Sequence, residues 1–142
     1  MATNPLIGTW RLISYEARTG DGAVSYPLGK NPSGFILYSE DGYMSVTMMS
    51  ANRTNYASSD LRAGTPEEKL AAAETYLSYS GKYTFEGDRV LHHVEVSFFP
   101  NRVGTTQVRH LTSSGNTVTL RTLAMLISGE QQTAELVWQR AG

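Results

Sequence analysis

The feature that most constrains this chain is its rhythm. Short runs rich in Val, Ile, Thr, Tyr and Phe are cut at close intervals by glycine-centred turns. Eight such runs read as strands: residues 9–16, 34–38, 43–49, 82–85, 90–98, 105–112, 117–127 and 133–140. The breakers are Asp21-Gly22, Glu40-Asp41-Gly42, Glu86-Gly87-Asp88, Ser114-Gly115-Asn116 and Ser128-Gly129. Asp41-Gly42 and Gly115-Asn116 signal tight hairpins, because Gly, Asn and Asp tolerate the positive φ such turns need. An open sheet of that many strands would leave two unpaired edges, and closure removes them. The expected fold is all-β, a single antiparallel up-and-down β-barrel of about eight strands. It occupies residues 1–142 as one domain, long enough to bury a core, with one inserted helix.

The helix begins at Thr65-Pro66-Glu67-Glu68, which combines an N-cap, Pro at the first helical position and a capping-box Glu. Leu70, Ala73 and Leu77 have helical spacing, and the run is expected to end near Ser80-Gly81. A long polar loop, residues 50–59, precedes it. Helix and loop together could cover the mouth of a barrel, or the helix could pack outside it.

Composition excludes several classes of function. The chain has no Cys, so a disulfide framework, a thiolate nucleophile and Cys-ligated zinc are ruled out. Its net charge of −1 and the lack of any Lys/Arg run argue against nucleic acid or an anionic membrane as partner. No apolar run approaches the ~20 residues of a membrane span. Met1-Ala2-Thr3-Asn4-Pro5 has neither the basic nor the apolar part of a secretory leader, so a cytoplasmic protein is expected. No phosphate loop, nucleophile elbow or His-Glu-x-x-His motif is present. A metal site from His93, His110 and Glu95 would need one special register, so neither metal nor cofactor is expected. The expected partner is a small molecule, with a homodimer left open.

Alternation along residues 90–98 puts His93, Glu95 and Ser97 on one face and His92, Val94 and Val96 on the other. In the following strand Gln107 and Arg109 share a face. With a turn of suitable register Glu95 lies opposite Arg109, and a one-residue slip instead pairs His93 with His110. A cluster of His93, Glu95, Gln107 and Arg109 would project into the barrel, with His93 and Glu95 as candidate acid–base residues. The competing reading makes it a solvated outer face behind Val94 and Val96. In the hairpin of residues 34–48, a four-residue turn puts Phe35, Leu37, Met44, Val46 and Met48 on one apolar face, with Tyr38 on the other. Phe35, Leu37, Tyr38, Met44, Met48 and Trp138 are candidate ligand contacts, with Gln107 and Arg109 as the polar ones. Arg53, the sole charge in its loop, is a candidate clamp for a carboxylate or carbonyl. Trp138, Leu136 and Ala134 share a face expected to line the barrel beside Trp10, Leu12 and Ser14.

Several stretches together resemble the lipocalin-like family of short intracellular-type bacterial and fungal proteins. They are Leu6-Ile7-Gly8-Thr9-Trp10-Arg11-Leu12, Tyr26 to Gly34, Tyr38 to Ser45, Tyr79 to Tyr83, His92-His93-Val94-Glu95, Pro100-Asn101 and Gly104 to Arg109. The resemblance implies a small barrel with an internal pocket. A Gly-x-Trp opening the first strand also recurs in fatty-acid-binding proteins, where the indole plugs one barrel end beneath an Arg from the last strand. Trp10 and Arg140 match those positions. Arg102 departs from the pattern, standing where similar sequences are expected to carry an aromatic. The function expected is binding of a small, largely apolar molecule with one polar or carbonyl end. The alternative is a cofactor-free cyclase or isomerase using the same cavity, as some related barrels in natural-product pathways are, and a third reading is a barrel with a collapsed interior.

Overall fold

The computed structural model describes residues 4–142, so Met1-Ala2-Thr3, part of the segment used to read the absence of a leader, lies outside the described residues. The ten strands are β1 (Gly8–Thr19), β2 (Val24–Ser25), β3 (Ser33–Tyr38), β4 (Tyr43–Met49) and β5 (Tyr76–Phe85), then β6 (Arg89–Ser97), β7 (Thr106–Ser114), β8 (Thr117–Thr122), β9 (Met125–Ile127) and β10 (Glu130–Arg140). Helix α1 (Pro66–Glu74) lies between β4 and β5. The sheet runs β1-β3-β4-β5-β6-β7-β8-β10, and β10 pairs back on β1 to close an eight-stranded antiparallel barrel. The short β2 and β9 attach to β1 and β10.

Alternation places Ile36, Tyr38, Met44, Val46, Met48, Tyr79, Val90, Val94, Val118, Leu120, Leu136 and Trp138 inside. Each fully buried aliphatic side chain there contributes about 1.5–3 kcal/mol. The barrel therefore holds itself together without staples.

Three departures from strict alternation decide which side chains face inward. The first is the β3–β4 turn. Its loop is three residues, Glu40-Asp41-Gly42, closed by the Ser39 N–H donating to Tyr43 O (2.8 Å) with Gly42 at φ 93°. An odd loop pairs even with even, Tyr38 with Met44 and Ile36 with Val46. Phe35 and Leu37 consequently point outward, 37% and 45% exposed, in place of the inward positions expected of them, and Tyr38 points in. The second is a bulge in β1 between Leu12 and Ser14, after which Tyr15 and Ala17 face inward while Ser14 leaves the Trp10–Leu12 face. In the third, a bulge in β6 sets Val94 opposite Gly81 and Val96 opposite Ser80. Glu95 is the extra residue, and Val96 turns out to solvent.

The capping box forms as read: Thr65 Oγ1 accepts from the Glu68 N–H (3.2 Å), and Glu68 Oε1 accepts from the Thr65 N–H (2.8 Å). The helix stops at Glu74, short of the expected end near Ser80-Gly81. The segment after Thr75 alternates and pairs residue for residue with β4, Met48 opposite Leu77 and Val46 opposite Tyr79, which outweighs the helical spacing of Leu77. The single strand expected over residues 117–127 is two. β9 folds onto the start of β10 through Ser128-Gly129, both at positive φ (52° and 82°), as a two-residue primed turn requires. Among the described residues no helix is long and apolar enough to cross a membrane.

Candidate functional site: a corked barrel with a cationic cavity

One end of the barrel is plugged. The Arg140 guanidinium lies 4.2 Å from the Trp10 ring centroid and donates to Ile7 O (3.0 Å) and Pro5 O (2.7 Å). The Trp10 indole N–H donates to Leu6 O at 2.9 Å. Gly8, at φ 130°, makes the approach possible, since a Cβ there would sit 2.7 Å from Arg140 Nη1. Asn4 donates to the Tyr83 hydroxyl (3.0 Å), tying the N-terminal segment over the same end.

Toward the other end the interior opens into a cavity. Its apolar wall is Ile36, Val46, Met48, Leu77, Leu120, Met125, Leu136 and Trp138. Its polar groups are Tyr15, Tyr79, His92, Arg102, Arg109 and Thr122. Its free volume is about 30 Å³. Two of its lining residues are the adaptable side chains Met48 and Met125.

The polar groups form two sets. His92, 1% exposed, is held between two tyrosines: Nε2 lies 2.7 Å from the Tyr38 hydroxyl and Nδ1 2.6 Å from that of Tyr79. Burial holds this imidazole well below its usual ionisation range, with Arg109 adding to the effect, so it is neutral. Burial also pushes the Tyr38 phenol well above its ordinary value. The second set is Arg109, 7% exposed, and the half-buried Arg102. Arg109 donates to Val108 O (3.1 Å), while Arg102 lies over the Tyr79 ring (5.6 Å) with Nη2 3.8 Å from Met125 Sδ. Burial lowers the Arg102 ionisation, and burial raises that of Tyr15 against the pull of both arginines.

The expected site residues are divided between this cavity and the outer wall. Met48, Arg109 and Trp138 line the cavity. Tyr38 and Met44 are buried in the core, and Tyr38 reaches the cavity wall through His92. Gln107 pairs with His92 across the sheet and donates to Thr105 Oγ1 (2.9 Å). His93 and Glu95 are elsewhere: they border a shallow outer groove with Lys82, Thr105 and Thr106. His93 Nε2 is 2.9 Å from Thr84 Oγ1 and Nδ1 3.1 Å from Thr106 Oγ1. The β6–β7 register explains the split. Val90 pairs with Arg109 and His92 with Gln107, so neither Glu95–Arg109 nor His93–His110 is opposed. A long connection containing a 3-10 turn at Pro100–Arg102 carries the offset and swings Arg102 to the cavity. Arg53 is engaged at the end of α1, donating to Thr75 Oγ1 and Ala72 O (both 3.0 Å) and lying over the Tyr76 ring. No residue of α1 is buried and none lines the cavity.

Tyr15, Tyr79 and His92 were not singled out from sequence. The parity that buries Val94 also buries His92, whereas Tyr15 needed knowledge of the β1 bulge. Among the described residues no group of three His, Asp or Glu side chains converges to hold a metal.

A model of the lipocalin-like domain matches residues 7–141 of the chain. The chain is 34% identical over 106 residues to the 4'-hydroxy-3'-methoxypropiophenone carrier protein ppsC of Aspergillus oryzae, an alignment covering 68% of this chain and 96% of that protein. Its fold is similar to the crystal structure of a lipocalin-like protein from Bacteroides uniformis, with a TM-score of 0.51 at 13% identity, covering 97% of this chain and 100% of the other.

Proposed function

The chain belongs to the lipocalin-like domain family, and from that premise we propose that it binds a small, largely apolar aromatic molecule inside the barrel. One observation carries the reading: a cavity inside the barrel with apolar walls and a few polar side chains, the character of small-molecule pockets. The small free volume favours a flat guest, and the methionines can shift to admit one. The similarity to a protein named as carrier of an aryl ketone supports the same class of ligand.

The test uses Trp138, which lines the cavity, against Trp10, which belongs to the cork; these are the two tryptophans of the chain. Titration with a neutral para-methoxyphenyl ketone is expected to quench Trp138 emission in a Trp10→Phe background. At ~100 times the dissociation constant it should add about 2.7 kcal/mol to stability. Absence of both quenching and stabilisation with flat aryl ketones would refute the proposal.

A second reading, a cofactor-free isomerase or cyclase, is favoured by one feature. Tyr38, His92 and Tyr79 form a buried hydrogen-bonded chain that ends in the cavity. Acid–base chemistry on a bound guest would run through Tyr79 and His92. His92→Gln should then abolish turnover while binding persists. Retained turnover excludes that route.

A further inference from the structure

We propose that the open end of the cavity is an anion site. It would take a flat aromatic guest through one negatively charged oxygen, a carboxylate or an acidic phenol, held by Arg102 and Arg109. This rests on the small-molecule reading above and adds the guest's charge.

The argument begins with donors that lack acceptors. Among the described residues the ion pairs are Arg18–Glu16, Arg89–Glu86 and Arg121–Glu135, so neither Arg102 nor Arg109 has a carboxylate within 4.0 Å. No Asp or Glu lines the cavity. A guanidinium carries five N–H donors and no acceptor. Arg109 spends one on the carbonyl of its own neighbour, and Arg102 meets only a thioether and an aromatic face. Two like charges lining one cavity, one buried and one half-buried, are costly without a counter-charge, and an anion between them offsets that cost. The indole N–H of Trp138, on the same cavity wall, is buried and has no partner among the described residues.

Proton accounting at His92 adds a further donor. A neutral imidazole has one N–H and one lone pair to share between Tyr38 and Tyr79. Tyr38 is buried, and among the described residues its hydroxyl has His92 as its one hydrogen-bond partner, so it donates to Nε2. Nδ1–H then donates to the Tyr79 oxygen, which leaves the Tyr79 O–H free to turn toward the cavity. Two guanidinium groups and a phenol O–H thus border a cavity whose lining holds no carboxylate, with the unpartnered indole N–H of Trp138 in the same wall. A negatively charged oxygen is the ligand group that answers that set.

The test compares para-methoxycinnamate with its methyl ester, which have nearly the same shape and differ in charge. Calorimetry is expected to show the acid binding wild-type protein at least about tenfold tighter than the ester. Arg102→Met and Arg109→Met should each lose that preference while still binding the ester; Arg102→Gln is the second choice if either fails to fold. A separate arm uses a para-hydroxyphenyl ketone, whose absorption moves to longer wavelength on ionisation. The phenolate spectrum when bound, at a pH where the free compound is neutral, assigns the site to acidic phenols. A preference for the acid without that spectrum assigns it to carboxylates. Equal binding of acid and ester, together with a neutral bound phenol, overturns the anion site and leaves the small-molecule reading standing. Binding of none of the compounds removes both.

Discussion

The cork offers the sharpest test of the fold's energetics. Arg140→Ala deletes two hydrogen bonds from a guanidinium to backbone carbonyls, Ile7 O and Pro5 O, and the contact over Trp10 at 4.2 Å. The Pro5 contact is exposed, so the two bonds together are taken at the low end, about 1–2 kcal/mol, and the ring contact adds about 0.5–1 kcal/mol. The expected loss is about 1.5–3 kcal/mol, or roughly 5–10 °C in Tm for a chain of this length. Gly8→Ala attacks the same contact from the other side, since its Cβ would lie 2.7 Å from Nη1 at a φ of 130°. It therefore carries both the backbone strain, about 1–3 kcal/mol, and the loss of the stacked arginine. In the double variant the clash has nothing left to displace, so Gly8→Ala should cost at least about 1 kcal/mol less there than in wild type. Urea unfolding of the four proteins measures the cycle. A loss below about 0.5 kcal/mol for Arg140→Ala, or strict additivity, refutes the reasoning.

Three further outcomes follow from the same geometry. His92 is neutral when folded because burial depresses its ionisation, whereas the unfolded chain takes up that proton near pH 6.5. Stability is therefore full above that value and falls as pH drops from 7 to 5.5, by up to about 1.4 kcal/mol per unit; in urea titrations His92→Gln should flatten that slope, and an unchanged slope contradicts the assignment. Arg109→Met, in protein without ligand, should gain about 0.5–2 kcal/mol in chemical denaturation, since it removes an unpaired buried charge; a loss of stability would mark the arginine as structural. Gly81→Ala would put a Cβ 1.9 Å from His93 O at the β6 bulge, so it should cost about 3–5 kcal/mol or prevent folding, and a melting curve near wild type would rule out the bulge.

Most strands were legible in the sequence because they depend on local signals, and the plug was legible through the family resemblance. Glycine turns mark where strands end, and Gly8, Trp10 and Arg140 sit at the ends of the first and last strands, which closure must bring together. The faces were less legible, because face is a parity and one inserted residue inverts it. The odd loop at Glu40-Asp41-Gly42 moved Phe35 and Leu37 outside and brought Tyr38 inside. The bulge near Ser14 exchanged that residue for Tyr15, and the one at Glu95 sent Val96 outward. The site suffered from the same cause at longer range. Trp138 fell on a face expected to line the barrel, whereas Arg109 was read as inward only together with His93 and Glu95, against an outer-face alternative. Pairing His92 with Gln107, and leaving His93 outside, depended on the long connection through Pro100–Arg102, whose length carries no register signal.

The most direct test of the account is a crystal structure of the protein grown with para-methoxycinnamate. The ring is expected among Met48, Tyr79 and Trp138, with a carboxylate oxygen about 2.7–2.9 Å from a guanidinium nitrogen of Arg102 or Arg109. An unaltered interior, with the compound seated only in the outer groove beside Lys82 and His93, would contradict it.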